Sequence, residues 1–206
     1  MKKNRLLTFI AVSVLAAAPA VSADNGSIAV YLDAAGTQCQ GPISGFTLGS
    51  VWMNLGGATA VGMYGVEFRI DNSDAASFDC QFIPDASATI ALGNPFFGGC
   101  NMAFSTCQSG TSGRVMLGTV VINPITPSTS DVLLTVRPHL TPSNENFQCA
   151  LATECDAPFF TSICVGAPNS DHWRAVINPS GAIAGDCQPV AVQAQSWSGV
   201  KALYKN

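Results

Sequence analysis

Eight cysteines, Cys39, Cys80, Cys100, Cys107, Cys149, Cys155, Cys164 and Cys187, are scattered through this chain of 206 residues. No feature restricts its folding more. An even set of thiols either staples loops together or holds metal. Structural zinc usually needs close pairs such as Cys-x-x-Cys, and the tightest spacings here are Cys149 to Cys155 and Cys100 to Cys107. The pattern therefore reads as a disulfide framework, with no metal site and no cofactor expected. The spacing suggests Cys100–Cys107 and Cys149–Cys155 as local staples, with Cys39–Cys80 and Cys164–Cys187 closing longer loops.

Such bonds persist in oxidising compartments, and the N-terminus agrees. Lys2, Lys3 and Arg5 precede an apolar run over 6–18, and small residues follow at Val21-Ser22-Ala23. Basic, apolar, small is the order of a secretory signal peptide, with cleavage expected after Ala23. The apolar run is too short for the roughly 20 residues of a spanning helix, so no membrane insertion is expected once the signal is removed. The expected divisions are 1–23 as signal peptide, 24–188 as one β-sandwich domain, and 189–206 as linker and C-terminal tail. Removing the signal leaves six basic residues against thirteen acidic ones, taking the formal charge from −4 to −7. That balance argues against nucleic acid as a partner.

Between the cysteines the chain reads as short β segments divided by turn residues. Candidate strands lie at 28–32, 46–54, 64–70, 88–92, 114–122, 132–137 and 173–177. The clearest alternation places Tyr64, Val66, Phe68 and Ile70 on one face and Gly65, Glu67 and Arg69 on the other. Prolines fall in the gaps, where a missing N–H harms no ladder. With no long amphipathic helix between these runs, the fold class is all-β: an antiparallel β-sandwich stapled by disulfides, with a short C-terminal helix or tail. Trp52 and Trp173 are expected inside it.

The segment 44–54 followed by Met63-Tyr64-Gly65-Val66-Glu67-Phe68-Arg69-Ile70 resembles the opening strands of cohesin-like and related carbohydrate-binding-like sandwiches. The resemblance implies a sandwich fold and a binding or scaffolding role; eight cysteines depart from that family's habit. At the other end, Trp197, Val200, Lys201, Leu203, Tyr204 and Lys205 form an ending that resembles the short tails of many exported bacterial proteins. An ending shared by unrelated domains implies a sorting or attachment signal. The same residues also suit a terminal helix, because Trp197, Val200, Leu203 and Tyr204 share one helical face.

Catalytic patterns are sparse. The two histidines are His139 and His172, and Asp171 beside His172 would point to the opposite face of a strand. Ser109-Gly110-Thr111-Ser112-Gly113 reads as a turn and lacks the Gly-x-Ser-x-Gly spacing of a nucleophile elbow. Asp71-Asn72-Ser73-Asp74 reads as Asx-turn chemistry rather than a calcium loop. Phe96, Phe97, Phe159 and Phe160 sit as adjacent aromatic pairs beside cysteines, either as a binding platform or as seals on the core. The reading that follows is a non-catalytic exported binding, adhesion or surface-assembly module, secreted or held at the cell surface, with a protein or glycan partner. The alternative is a small secreted hydrolase using His139 or His172.

Overall fold

A computed structural model describes residues 25–126, 131–155, 162–165 and 174–187. Two sheets face each other. The first has the order β1-β3-β8-β5, from strands Gly26–Tyr31, Thr47–Leu55, Arg114–Pro124 and Phe78–Pro84. The second runs β11-β10-β4-β9-β12-β2, with β7 paired to β4 and β6 paired to β7. Its strands are Gln40–Gly41 (β2), Met63–Asn72 (β4), Ile90–Asn94 (β6), Gly99–Gln108 (β7), Val132–Arg137 (β9), Ala150–Glu154 (β10), Ser162–Val165 (β11) and Arg174–Ile177 (β12). All pairings are antiparallel except β12 with β2. The fold is the disulfide-stapled, all-β sandwich expected from the alternating runs.

The core lies between the sheets and follows the period of two. In β3 Val51 and Met53 are buried, in β4 Val66, Phe68 and Ile70, and in β8 Val120 and Ile122. Phe68 meets Phe82 edge-on across the core, ring centroids 6.0 Å apart. Tyr64 departs from the expected face. A register shift between Met63 and Gly65 puts fully buried Met63 in its place and leaves Tyr64 half-buried.

The local disulfide pairings are corrected by the structure. Cys100 and Cys107 lie on one continuous strand, β7, where seven residues span roughly 23 Å. A disulfide needs Cα atoms within about 7 Å. Cys149 and Cys155 bracket β10 and are parted for the same reason. The bonds formed are Cys39–Cys187, Cys107–Cys155 and Cys149–Cys164. The two remaining cysteines, Cys80 on β5 and Cys100 on β7, are buried thiols in the core, so neither Cys39–Cys80 nor Cys164–Cys187 forms. Burial pushes the Cys80 thiol up to about 12, aided by the charge of Asp79, and the Cys100 thiol up to about 11.

Trp52 also departs from expectation. It lies half-buried on the outer side of the first sheet, where the Arg114 guanidinium sits 4.6 Å from its ring and 4.9 Å from that of Tyr31. Arg114 Nε donates to Asn54 Oδ1 (3.1 Å) and its Nη2 to the Gly36 carbonyl (2.9 Å). Gly36, at φ +69°, approaches the Trp52 indole so closely that a Cβ would stand 2.4 Å from its nitrogen. Asp33 holds that turn, accepting from the N–H groups of Thr37 and Gln38 and from the Thr37 hydroxyl. Tyr31 donates to the Cys187 carbonyl, and Cys39–Cys187 clasps the arrangement shut.

Candidate functional site

The outer side of the second sheet is built differently. Because Cys100, Met102 and Phe104 of β7 face the core, Asn101, Ala103 and Ser105 face out. Register carries that face across five strands. Leu92, Asn101, Glu67, Leu151 and Cys164 stand side by side, and Ile90, Ala103, Gly65, Thr153 and Ser162 form the next row. The floor is low in the second row. A Cβ at Gly65 would lie 2.8 Å from the Met102 carbonyl oxygen, so this position admits no side chain without movement.

Between β9 and β10 the chain leaves the ladder, and residues 138–149 return across this face. Leu140 N–H donates to the Gly98 carbonyl (2.9 Å), and Ser143 N–H donates to the Glu67 carboxylate, 3.0 Å from Oε1 and 3.1 Å from Oε2. This excursion covers part of the face and leaves two hollows beside it. One, of about 220 Å³, is lined by Val66, Glu67, Asn101, Met102, Ser143, Leu151, Thr153 and Ser162. The other, of about 320 Å³, meets it at Thr153 and is lined by Tyr64, Ala103, Phe104 and Ser105.

Edge strand β6 borders the same face. Among the described residues it pairs only with β7, and its Ile90 and Leu92 are 50% and 63% exposed on the outer face. Such an edge is usually blunted by charge or proline, and 88–92 carries neither. Exposed Phe97 and Leu140 lie at the end of β6, where the excursion bonds to Gly98.

A larger hollow, about 550 Å³, opens at one end of the sandwich between Ile43, Ser44, Phe78, Pro124, Ile125, Thr126 and Asn178. Among the described residues it has no charged side chain, and Asn178 Oδ1 accepts from Ile43 N–H (2.8 Å).

The residues singled out by sequence fall as follows. Phe96 packs against the core and Phe97 is 77% exposed. Phe159 and Phe160, His172, Trp173 and the tail residues Trp197, Val200, Lys201, Leu203 and Tyr204 lie outside the described residues. His139 stacks over Gly99, whose Cβ would fall 2.0 Å from its ring, and its Nδ1 accepts from Thr141 N–H (3.1 Å). Among the described residues no carboxylate is hydrogen-bonded to His139. Asp74 N–H donates to Asn72 Oδ1 (3.0 Å) and Ser77 N–H to Asp74 Oδ1 (3.1 Å), so 71–77 is an Asx turn. Asp71 is occupied by Arg69 at 2.9 Å. Glu67, buried and among the described residues accepting from a single N–H, is not marked as a site by the sequence pattern. Its place in the alternation marked it as an ordinary outward charge, and the excursion that covers it is set by long-range pairing.

No protein-family model matches the sequence, and no curated protein matches it. Solved structures to which the chain is similar include three cohesin modules. The sixth cohesin from Acetivibrio cellulolyticus scaffoldin B, in complex with a mutant Cel5 dockerin, aligns with TM-score 0.48 at 10% identity over 75% of this chain and 99% of its own. A cohesin module from a Clostridium perfringens family 33 glycoside hydrolase gives 0.47 at 13% identity over 76% and 98%. A type II cohesin domain from the Acetivibrio cellulolyticus cellulosome gives 0.42 at 11% over 75% and 95%. All three are cohesin modules, the kind of sandwich that the strand pattern of 44–70 resembles.

Proposed function

We propose that this chain is an exported, non-catalytic binding module that takes a protein partner on the outer face of β6, β7, β4, β10 and β11. The observation that carries the reading is the exposed aliphatic pair Ile90 and Leu92 on an uncharged edge strand that, among the described residues, pairs on one side only, beside a hollow lined by Ala103, Ser105 and Thr153. A strand edge offers main-chain donors and acceptors to a polypeptide, and alternate aliphatic side chains add the apolar contact. A glycan would be better served by flat exposed aromatics. On this face Tyr64 is half-buried, and among the described residues Phe97 at the end of β6 is the one exposed aromatic beside aliphatic Ile90, Leu92 and Leu140.

Export is supported by the basic, apolar, small N-terminus and by three disulfides. The test of compartment is intact mass. Protein recovered outside the cytoplasm is expected to begin at Asp24 and to gain about six hydrogens on reduction, two per bond. An uncleaved, reduced chain would overturn it. The same spectrum reads the tail: loss of residues after Gln195 supports a sorting signal, and an intact tail on freely secreted protein supports a structural one.

The test of the face uses immobilised oxidised protein and a variant carrying Ile90→Asp with Leu92→Asp. A partner recognised here is captured from the producing cells' envelope and medium by the wild type and lost with the variant. An identical catch from both would sink the assignment of the face.

A further inference from the structure

The hollow over Glu67 carries an inference of its own, resting on the partner face just described. Glu67 is 6% exposed, and among the described residues Ser143 N–H is its one hydrogen-bond donor. A carboxylate has about four acceptor sites, so most of its capacity is unfilled in a buried position, where an uncompensated charge is costly. The hollow of about 220 Å³ opens on that carboxylate, and its remaining polar lining is Asn101, Ser143, Thr153 and Ser162. The volume is that of a side chain rather than of a free cofactor.

We propose that this hollow receives a lysine side chain of the protein partner, its ammonium on Glu67. The geometry distinguishes lysine from arginine. Ser143 N–H lies 3.0 and 3.1 Å from the two carboxylate oxygens and so occupies the edge between them. A guanidinium fork needs that edge for its paired bonds. An ammonium is a compact charge with three donors, which reach the outer lone pairs of one oxygen and share the remainder with the hydroxyls and amide of the lining. The acidic balance of the chain favours a basic partner surface. Register sets the spacing: Leu92 stands two strands from Glu67, about 10 Å at the usual strand separation. The partner therefore presents an exposed lysine with an apolar side chain about 10 Å away.

The test needs no identified partner. Nα-acetyl-lysine methylamide is titrated into ¹⁵N-labelled, oxidised protein while the amides of Ser143, Asn101 and Thr153 are followed. These amides are expected to shift and saturate at millimolar ligand, roughly what one such contact supports. Acetylation of the probe's Nε, the arginine analogue, or Glu67→Gln is each expected to weaken binding by about tenfold or more. The first two comparisons use wild-type protein, so they stand whether or not the variant folds. Shifts confined to exposed carboxylates, or equal binding by the acetylated or arginine probe, would overturn the assignment. Ile90→Asp with Leu92→Asp separates the two readings. If it abolishes partner capture while lysine still binds at Ser143, both stand. If capture survives and lysine binds, the face reading fails alone. If capture is lost and no lysine binds, the anchor fails alone.

Discussion

The two outer faces of this sandwich are made from the same alternation of side chains, yet one is closed and the other open. Over β1, β3 and β8 the outward residues Tyr31, Trp52 and Arg114 are stacked on each other, and every polar atom named there has a partner within the chain. The returning segment around Cys187 and the turn 33–38 cover them, and Cys39–Cys187 holds that cover. Over β6, β7, β4 and β10 the excursion 138–149 supplies one N–H to a buried carboxylate and leaves two hollows and an aliphatic edge. Satisfied polar groups beneath a covalent clasp mark a surface made for stability. Unfilled acceptor capacity beside exposed aliphatics marks one left for something else.

Breaking the clasp tests the closed face hardest. Replacing Cys39 and Cys187 together by alanine frees a loop with a sequence separation of 148. Urea unfolding is expected to show a loss of about 4 kcal/mol. An unchanged midpoint would mean the face is closed without its clasp. Next comes Arg114→Ala, which strands Asn54 and removes a cation from between two rings, for an expected loss of about 2 kcal/mol. Arg114→Lys should recover little of it, since an ammonium cannot stack and fork together.

A smaller effect is expected at Asp33, and it depends on pH. Burial pushes its carboxyl up, but hydrogen bonds from Gln38 and Thr37 outweigh that and hold it below the ordinary value of 3.8. A carboxyl depressed in the folded state stabilises fully above its unfolded value and loses that contribution as pH falls through the folded one. Asp33→Asn should therefore cost about 1 kcal/mol at pH 7, discounted for exposure, and progressively less below pH 4. A pH-independent difference would place the effect elsewhere in the turn.

On the open face the expected effects on stability are smallest. Ile90→Asp with Leu92→Asp should move unfolding by no more than about 0.5 kcal/mol, because both side chains are already in water. Glu67→Gln keeps an acceptor for Ser143 and relieves a buried charge, so a change within about 1 kcal/mol is expected. Large losses from either would show that this face too is built for stability.

Much of the fold was legible because a sheet with one buried side must alternate. The runs at 114–122 and 132–137 became β8 and β9 almost unchanged, and 64–70 lies within β4. Strands β2, β5, β7, β10 and β11 are not among the runs that alternation marks. Gly99–Gln108 does alternate, with Cys100, Met102 and Phe104 inward, but the spacing of its two cysteines suggests a loop staple. The candidate site was barely legible. Ile90 and Leu92 look like any core strand, and nothing adjacent to Glu67 in sequence announces that Ser143 will cover it.

By itself the sequence determined the class of the molecule: alternation, scattered prolines and an even set of cysteines admit few folds besides a stapled sandwich. Such local periodicity decides which side of a strand each residue takes. Only the tertiary structure decided which cysteines meet, which outer face is closed, and which carboxylate lies at the floor of a hollow. Those are contacts between residues far apart in the chain, Cys39 with Cys187 and Glu67 with Ser143, and they exist only once register and strand order bring them together.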